Sequence, residues 1–239
     1  MTRPAAVARI VSLARELGTL ANEVVFIGGA IAPLLHTDSL LPHPRPTKDV
    51  DGVIASHNYS SSARLHGALR QRGFRHDLSD TAHVHRWVAP NGELFDLIPS
   101  GGHAGGSGSA WDAEAIASAI SVTLDGVAFR HASAPAFIAM KIDAFNDRGG
   151  GDARSSHDVE DVIALIASRS TIVADVDAAH AAVRSRVRSF ASRLLDAGIA
   201  EEVVAAHLNN ADDPAFTVRL TLTRIQEIAA RLPTLGRDQ

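Results

Sequence analysis

Glu23-Val24-Val25-Phe26-Ile27-Gly28-Gly29, followed after a gap by Arg45-Pro46-Thr47-Lys48-Asp49-Val50-Asp51-Gly52-Val53-Ile54, is the stretch that decides the fold. The first piece is a short apolar run stopped by a glycine pair, the pattern of a buried strand ending in a tight turn. A glycine pair at a strand-to-helix turn can hold phosphates on bare backbone N–H groups. The second piece reads as a strand over 49–55. Side chains two apart on a strand share a face, so Asp49 and Asp51 project together and can bind one hard cation. Further on, Glu93-Leu94-Phe95-Asp96-Leu97-Ile98 supplies a third carboxylate, inward-pointing among apolar neighbours, on another strand. An inward carboxylate needs a partner, and a shared cation would provide one. Three carboxylates beside a glycine turn are the parts of a two-metal phosphoryl-type transfer site. Without metal the carboxylate pair should repel itself, so loss of Asp49 or Asp51 is expected to spare the fold or even stabilise it.

Outward from this stretch, residues 4–18 read as an amphipathic helix, with Val7, Ile10, Val11, Leu13 and Leu17 in its apolar stripe. A short helix over 30–35 should start directly after the glycines. The three prolines of 37–46 make that segment a loop. A helix over 59–72 ends at Gly73. Strands follow at 83–89 and 93–98, joined by the Pro90-Asn91-Gly92 hairpin turn, and a strand pair over 119–130 turns at Asp125-Gly126. Gly101 to Gly108 reads as a loop, and it lacks the Gly-Lys-Ser/Thr ending of a P-loop. After Pro135 the pattern is all helical, with helices expected at 135–147, 156–168, 173–196, 199–209 and 214–231. The fold class is therefore α+β. A mixed sheet flanked by helices occupies residues 1–132, and a helical domain at 133–239 completes the cleft.

The chain has 239 residues, 46% hydrophobic and 21% charged, which places it among soluble globular proteins. No run approaches the ~20 apolar residues of a membrane span. With no cysteine there are no disulfides, thiolate metal sites or Cys nucleophile, and a reducing cytoplasm is the natural home. A net charge of −4 gives no global basic field for nucleic acid, leaving Arg184, Arg186, Arg188 and Arg193 as a local patch. Twelve histidines, His83-x-His85 among them, offer no recognisable third zinc ligand. Of 23 basic side chains only Lys48 and Lys141 are lysines, one beside the carboxylate pair and the other on the first helix of the helical half. A compact ammonium and a planar guanidinium are not interchangeable at a phosphate site.

Together, hydrophobic-Gly-Gly, Asp-x-Asp and a later Asp resemble the nucleotidyltransferase superfamily. Within it, Arg45-x-Thr47-x-Asp49-x-Asp51, Gly73-Phe74, Lys141-x-x-Ala144, Arg148 and Asp158-x-x-Asp161 closely resemble the AbiEii/AbiGii-type toxin nucleotidyltransferases of bacterial toxin–antitoxin systems. The resemblance covers about residues 20–168. It implies the nucleotidyltransferase fold and a Mg²⁺-dependent enzyme, with Mn²⁺ as a substitute. Such an enzyme moves a nucleoside monophosphate from an NTP to an acceptor hydroxyl. It further implies Asp49, Asp51 and Asp96 as metal ligands, Gly28 and Gly29 as phosphate clamp, and Thr47 and Lys48 beside the nucleotide. Lys141 would touch the nucleotide, with Asp158 or Asp161 positioning it. Members of this type act on RNA, notably tRNA acceptor ends, and have a cognate antitoxin. Other readings are nucleotidylation of a protein hydroxyl, a small-molecule acceptor such as an aminoglycoside, or a non-catalytic nucleotide-binding or antitoxin-interacting module. The chain departs from the superfamily in its longer gap from Gly29 to Asp49, a Pro-rich insertion around 39–46.

Overall fold

The apolar runs read as strands lie side by side in one seven-stranded mixed sheet of order β3-β4-β5-β2-β1-β7-β6. Its strands are β1 (Val24–Ile27), β2 (Val50–Ala55), β3 (Arg75–His76), β4 (Arg86–Val88), β5 (Leu94–Ser100), β6 (Ile120–Leu124) and β7 (Val127–His131). The computed structural model describes residues 4–38, 45, 47–55, 59–79, 84–100, 109–148 and 151–230. Most of the Pro-rich insertion and all of the 101–108 glycine segment lie outside that range. By contact the chain divides into two compact units. The first comprises residues 1–35 and 43–140; the second comprises 36–42 and 141–239. The division falls inside a helix, between Met140 and Lys141.

In the first unit β1 pairs antiparallel with β2 and parallel with β7, and β2 pairs parallel with β5. The α+β class is thus built from hairpins joined by two parallel contacts. All four residues of β1 are buried, as a central strand requires. Phe26 lies 6.2 Å from Phe95 and 5.8 Å from Phe129, ring centroid to centroid, so the core runs along one face of the sheet. Gly52 faces the same side. A Cβ there would sit 2.9 Å from Val24 and 3.0 Å from the Phe95 ring, so only glycine leaves room for that ring.

The helix predicted at 4–18 is α1 (Ala5–Leu17), and its buried residues are Val7, Ile10, Val11, Leu13, Ala14 and Leu17. The segment after the glycines is a 3-10 turn, Gly29–Ile31, running into α2 (Ala32–Leu35). Helix α3 (Tyr59–Gln71) sets His66 against Trp87, 5.2 Å between rings, and His76 of β3 stacks on the same indole at 3.8 Å. The β6–β7 turn places Asp125 and Gly126 at positive φ, 50° and 72°, the signature of a tight two-residue hairpin. Three described elements have no counterpart in the sequence pattern: a 3-10 helix over Gly18–Asn22, β3, two residues long, and α4 (Asp112–Ala117), a six-residue helix against β1 and β2.

Helix α5 (Ala134–Asp147) carries the division. The second unit then continues through α6 (His157–Ser168), α7 (Ile172–Ala178), α8 (Ala181–Asp196), α9 (Ala200–His207) and α10 (Pro214–Ala230). Helix α10 packs on α6, α7, α8 and α9 and so forms the centre of the bundle. Its start follows from sequence: Asp213 accepts from the Phe216 N–H at 3.0 Å, and Pro214 needs no donor there. The single helix expected over 173–196 is two. The break is held by Arg184, whose Nη1 donates to the carbonyls of Asp177 (2.9 Å) and Ala179 (3.0 Å) where α7 ends. Neither Gly nor Pro marks that break.

Residues 36–38 join this bundle by closing the C-terminus of α6. Ser168 O accepts from the N–H groups of Thr37 (3.0 Å) and Asp38 (2.8 Å). Arg224 of α10 donates to the carbonyls of Ile166 (2.9 Å) and Ala167 (2.5 Å). A guanidinium at a helix C-terminus satisfies orphan carbonyls and complements the helix dipole.

Candidate active site

Strand register brings the carboxylates of the first unit together. Asp51 and Asp96 are direct partners in the parallel β2–β5 pair, which puts both side chains on one face of the sheet. Arg86 is the antiparallel partner of Asp96 across β4–β5, so it shares that face too. Its Nε donates to Asp96 Oδ1 at 2.7 Å, and its Nη2 donates to Asp96 Oδ2 at 2.6 Å and to Asp49 Oδ2 at 2.7 Å. This is a bidentate fork on one carboxylate with a third bond to the next. The cluster is largely shielded from water, with the side chains of Arg86 and Asp96 only 13% and 11% exposed. The Arg86 guanidinium is driven further above its ordinary range, first by its bond to Asp96 and then by the charges of Asp96, Asp49 and Asp77 against a loss to burial.

The glycine turn adjoins this cluster. Gly28 has φ +69°, and a Cβ on it would fall 2.0 Å from Asp51 Oδ2. The backbone that could grip phosphate and the carboxylate that could grip metal are therefore in contact. Gly29 has ordinary backbone, and its nearest neighbour would be Thr47 at 3.7 Å. Thr47 Oγ1 lies 3.2 Å from Asp49 Oδ1, within donating reach. Lys48 is exposed.

Two arginines escaped the sequence reading. Arg9 of α1 donates from Nη1 to Thr47 O at 2.5 Å and from Nη2 to Lys48 O at 2.8 Å, while Glu93 anchors its other edge. It clamps the backbone that delivers Asp49. Arg86 is the second, and its bond to Asp49 corrects the expectation that loss of this residue relieves repulsion. Asp49 and Asp96 already share an internal cation, so removing either aspartate breaks an ion pair rather than relieving repulsion. The hairpin turn held the signal. Ala89 N–H bonds to Glu93 O across Pro90-Asn91-Gly92, and counting outward pairs 86 with 96.

The second unit holds a separate charged cluster. Lys141 Nζ meets Asp161 Oδ2 at 2.5 Å and Asp158 Oδ1 at 3.3 Å, and Arg148 also contacts Asp158. Asp158 is buried in the first turn of α6, whose N-cap is Ser156. His36 donates or accepts at Ser168 Oγ, 2.7 Å away, and burial lowers its pKa to about 4, with the Asp161 charge pulling weakly upward. The basic stretch of α8 is mostly committed within the unit. Arg184 closes α7, Arg186 contacts Asp143, and Arg188 meets Asp177 at 2.8 Å, leaving Arg193 exposed.

The carboxylate donor set suits a hard divalent ion: three aspartates, no soft ligand, and oxygens of two of them meeting one cationic nitrogen. Among the described residues no three His, Cys, Asp or Glu side chains converge as a ready cage. His83, of the His83-x-His85 pair, lies outside the described residues.

No protein family model and no curated protein matches the chain. Among solved structures it is similar to an antigenic nucleotidyltransferase-like protein from Paracoccidioides brasiliensis. That match has 21% identity and a TM-score of 0.48, over 67% of this chain and 75% of that one. It is also similar to JHP933 from Helicobacter pylori, at 15% identity and a TM-score of 0.47, over 97% of this chain and 95% of that one. No helix among the described residues is long and apolar enough to cross a membrane.

Proposed function

We propose that the chain is a divalent-metal-dependent nucleotidyltransferase, moving a nucleoside monophosphate from an NTP to an acceptor hydroxyl with release of pyrophosphate. The observation that carries this reading is the contact of Gly28 with Asp51, in register with Asp96, at the end of β1. A turn suited to gripping phosphate and a carboxylate face suited to a metal ion are neighbours there, which supports the reading.

Asp49, Asp51 and Asp96 would hold Mg²⁺ or Mn²⁺. When bound, such ions stabilise charge on the transferring phosphate and the leaving pyrophosphate and acidify the acceptor hydroxyl. The chain's own residues orient the rest. The turn after Gly28 offers N–H groups to phosphate oxygens, and α2 is too short for a macrodipole to add much. Arg9 fixes the 47–48 backbone, and Thr47 faces the carboxylate of Asp49. Lys141, paired with Asp158 and Asp161, is assigned to the nucleotide by the sequence resemblance alone.

The acceptor follows from the resemblance to the AbiEii/AbiGii-type toxins, which implies RNA, the tRNA acceptor end in particular, and a cognate antitoxin as partner. If RNA is the acceptor, its contacts must come largely from groups other than Arg184, Arg186 and Arg188, which are spent inside the bundle. Protein hydroxyls are the alternative acceptor. The test is incubation with each NTP, labelled at the α- or the γ-phosphate, with Mg²⁺ and either total RNA or cell lysate. The α label should pass to RNA and the γ label should leave as pyrophosphate. Transfer to protein would change the acceptor, while transfer of the γ label, or of none, would contradict nucleotidyl transfer.

A further inference from the structure

We propose that Arg86 is an exchangeable counter-cation of this site: its guanidinium holds Asp49 and Asp96 together when no divalent ion is bound, and must leave both for one to bind. The inference rests on the nucleotidyl-transfer reading of the three carboxylates.

The geometry is that of a stand-in. Nη2 lies 2.6 Å from Asp96 Oδ2 and 2.7 Å from Asp49 Oδ2, so one nitrogen already occupies the point between the two oxygens. A magnesium ion sits about 2.0–2.1 Å from its oxygens. Each carboxylate would need to move only about 0.6 Å to trade the nitrogen for the ion. The two cations cannot share the place. They need the same lone pairs, and at contact distance in a shielded pocket their repulsion is large. The remaining bond, Nε to Asp96 Oδ1 at 2.7 Å, belongs to the same planar fork, so the guanidinium leaves as a unit.

The displaced guanidinium has an acidic neighbour. Asp77 follows β3, and its N–H bonds to the carbonyl of Arg86 at 3.1 Å, which sets its half-buried side chain beside the arginine, with Oδ1 accepting from the Ser79 N–H at 3.0 Å. Asp77 already acts on the Arg86 charge through space. A displaced guanidinium therefore turns toward Asp77 or toward a bound triphosphate and is not stranded. The consequence is that Arg86 raises the metal concentration at which the site fills, while keeping the metal-free carboxylates from repelling one another.

Mn²⁺ binding by calorimetry, with thermal unfolding in parallel, tests this on the full chain, comparing wild type, Arg86→Gln and Asp51→Asn. Arg86→Gln should bind Mn²⁺ roughly tenfold or more tighter than wild type, since a charged hydrogen bond is worth about that much in an equilibrium. Its metal-free form should melt lower than wild type, and Mn²⁺ should restore more of that loss than it adds to wild type. Asp51→Asn should lose binding. Equal or weaker binding by a natively folded Arg86→Gln overturns the exchange and leaves the metal site standing. Absence of Mn²⁺ binding in every protein, wild type included, overturns the nucleotidyl-transfer reading and the exchange with it. Wild-type crystals soaked in Mg²⁺ answer the same question without a variant. Release of Asp96 by Arg86 supports the exchange, and a bound ion with the fork still in place overturns it.

Discussion

Gly28 and Gly29 are neighbours in the chain with different reasons to be glycine. At Gly28 a side chain meets both a positive φ of +69° and an Asp51 oxygen at 2.0 Å; at Gly29 it meets neither. Gly28→Ala should therefore lose metal-dependent transfer and about 1–3 kcal/mol of stability, the range for a strained backbone position. Gly29→Ala should stay within about 1 kcal/mol of wild type. Urea unfolding and the labelled-NTP assay read both, and a fully active Gly28→Ala would sink the contact as a functional one. Lys141 gives a second contrast. Its compact ammonium serves two carboxylates at 2.5 and 3.3 Å, a geometry a planar fork does not reproduce. Lys141→Arg should fail to rescue Lys141→Ala, with turnover down on the order of a hundredfold, the usual consequence of a misplacement of about 1 Å. Full activity in the arginine variant would show that charge alone matters there. At this scale the aspartates were legible, because alternation along a strand fixes which side chains share a face. Arg86 and Arg9 were not, because arginine is this chain's default base and only a long-range partner sets these two apart.

Elements were legible where their periodicity was local. Helices α1, α3, α5, α6, α9 and α10 and strands β1, β2, β5, β6 and β7 fall within a residue or two of the positions their patterns predict. The misses share a cause, since β3, α4 and the α7–α8 break are set by neighbours rather than by their own sequence. The break depends on a guanidinium from the following helix taking the carbonyls where α7 ends. A second capping arginine makes the element-scale prediction. Arg224→Ala should uncover the C-terminal carbonyls of α6 and lower stability by about 2 kcal/mol, the scale of lost charged hydrogen bonds. Denaturant unfolding measures it. A change below about 0.5 kcal/mol would mean that water replaces the cap at no cost.

For the molecule as a whole, two titratable groups, half-buried His36 in the second unit and buried Asp112 in the first, act in opposite directions with pH. Burial lowers the His36 pKa to about 4 against the ordinary 6.5, so the unfolded chain takes up the proton first. The second unit should therefore lose stability as pH falls from about 6.5 to 4, by on the order of 3 kcal/mol. Asp112 is buried in the first unit, and desolvation raises its pKa to about 6 from 3.8, with the Ser109 backbone pulling the other way. There the folded state holds the proton longer, and stability should fall as pH rises from about 3.8 to 6, by a similar amount. Hydrogen exchange resolved by segment should show the two units responding with opposite sign between pH 4 and 6.5. Asp112→Asn should flatten the first unit's response, and slopes of the same sign in both would contradict the assignment. Residues 36–38 close α6 through backbone groups that any residue supplies, so their own side chains give no signal of that contact. The central claim, that Asp49, Asp51 and Asp96 form one divalent-metal site beside the Gly28 turn, is tested most directly by anomalous scattering from crystals grown with Mn²⁺ and a non-hydrolysable NTP. Mn²⁺ is expected on the carboxylates of Asp49, Asp51 and Asp96, with the triphosphate reaching the N–H groups after Gly28. Mn²⁺ bound elsewhere, or a triphosphate bound with no metal at these aspartates, would contradict it.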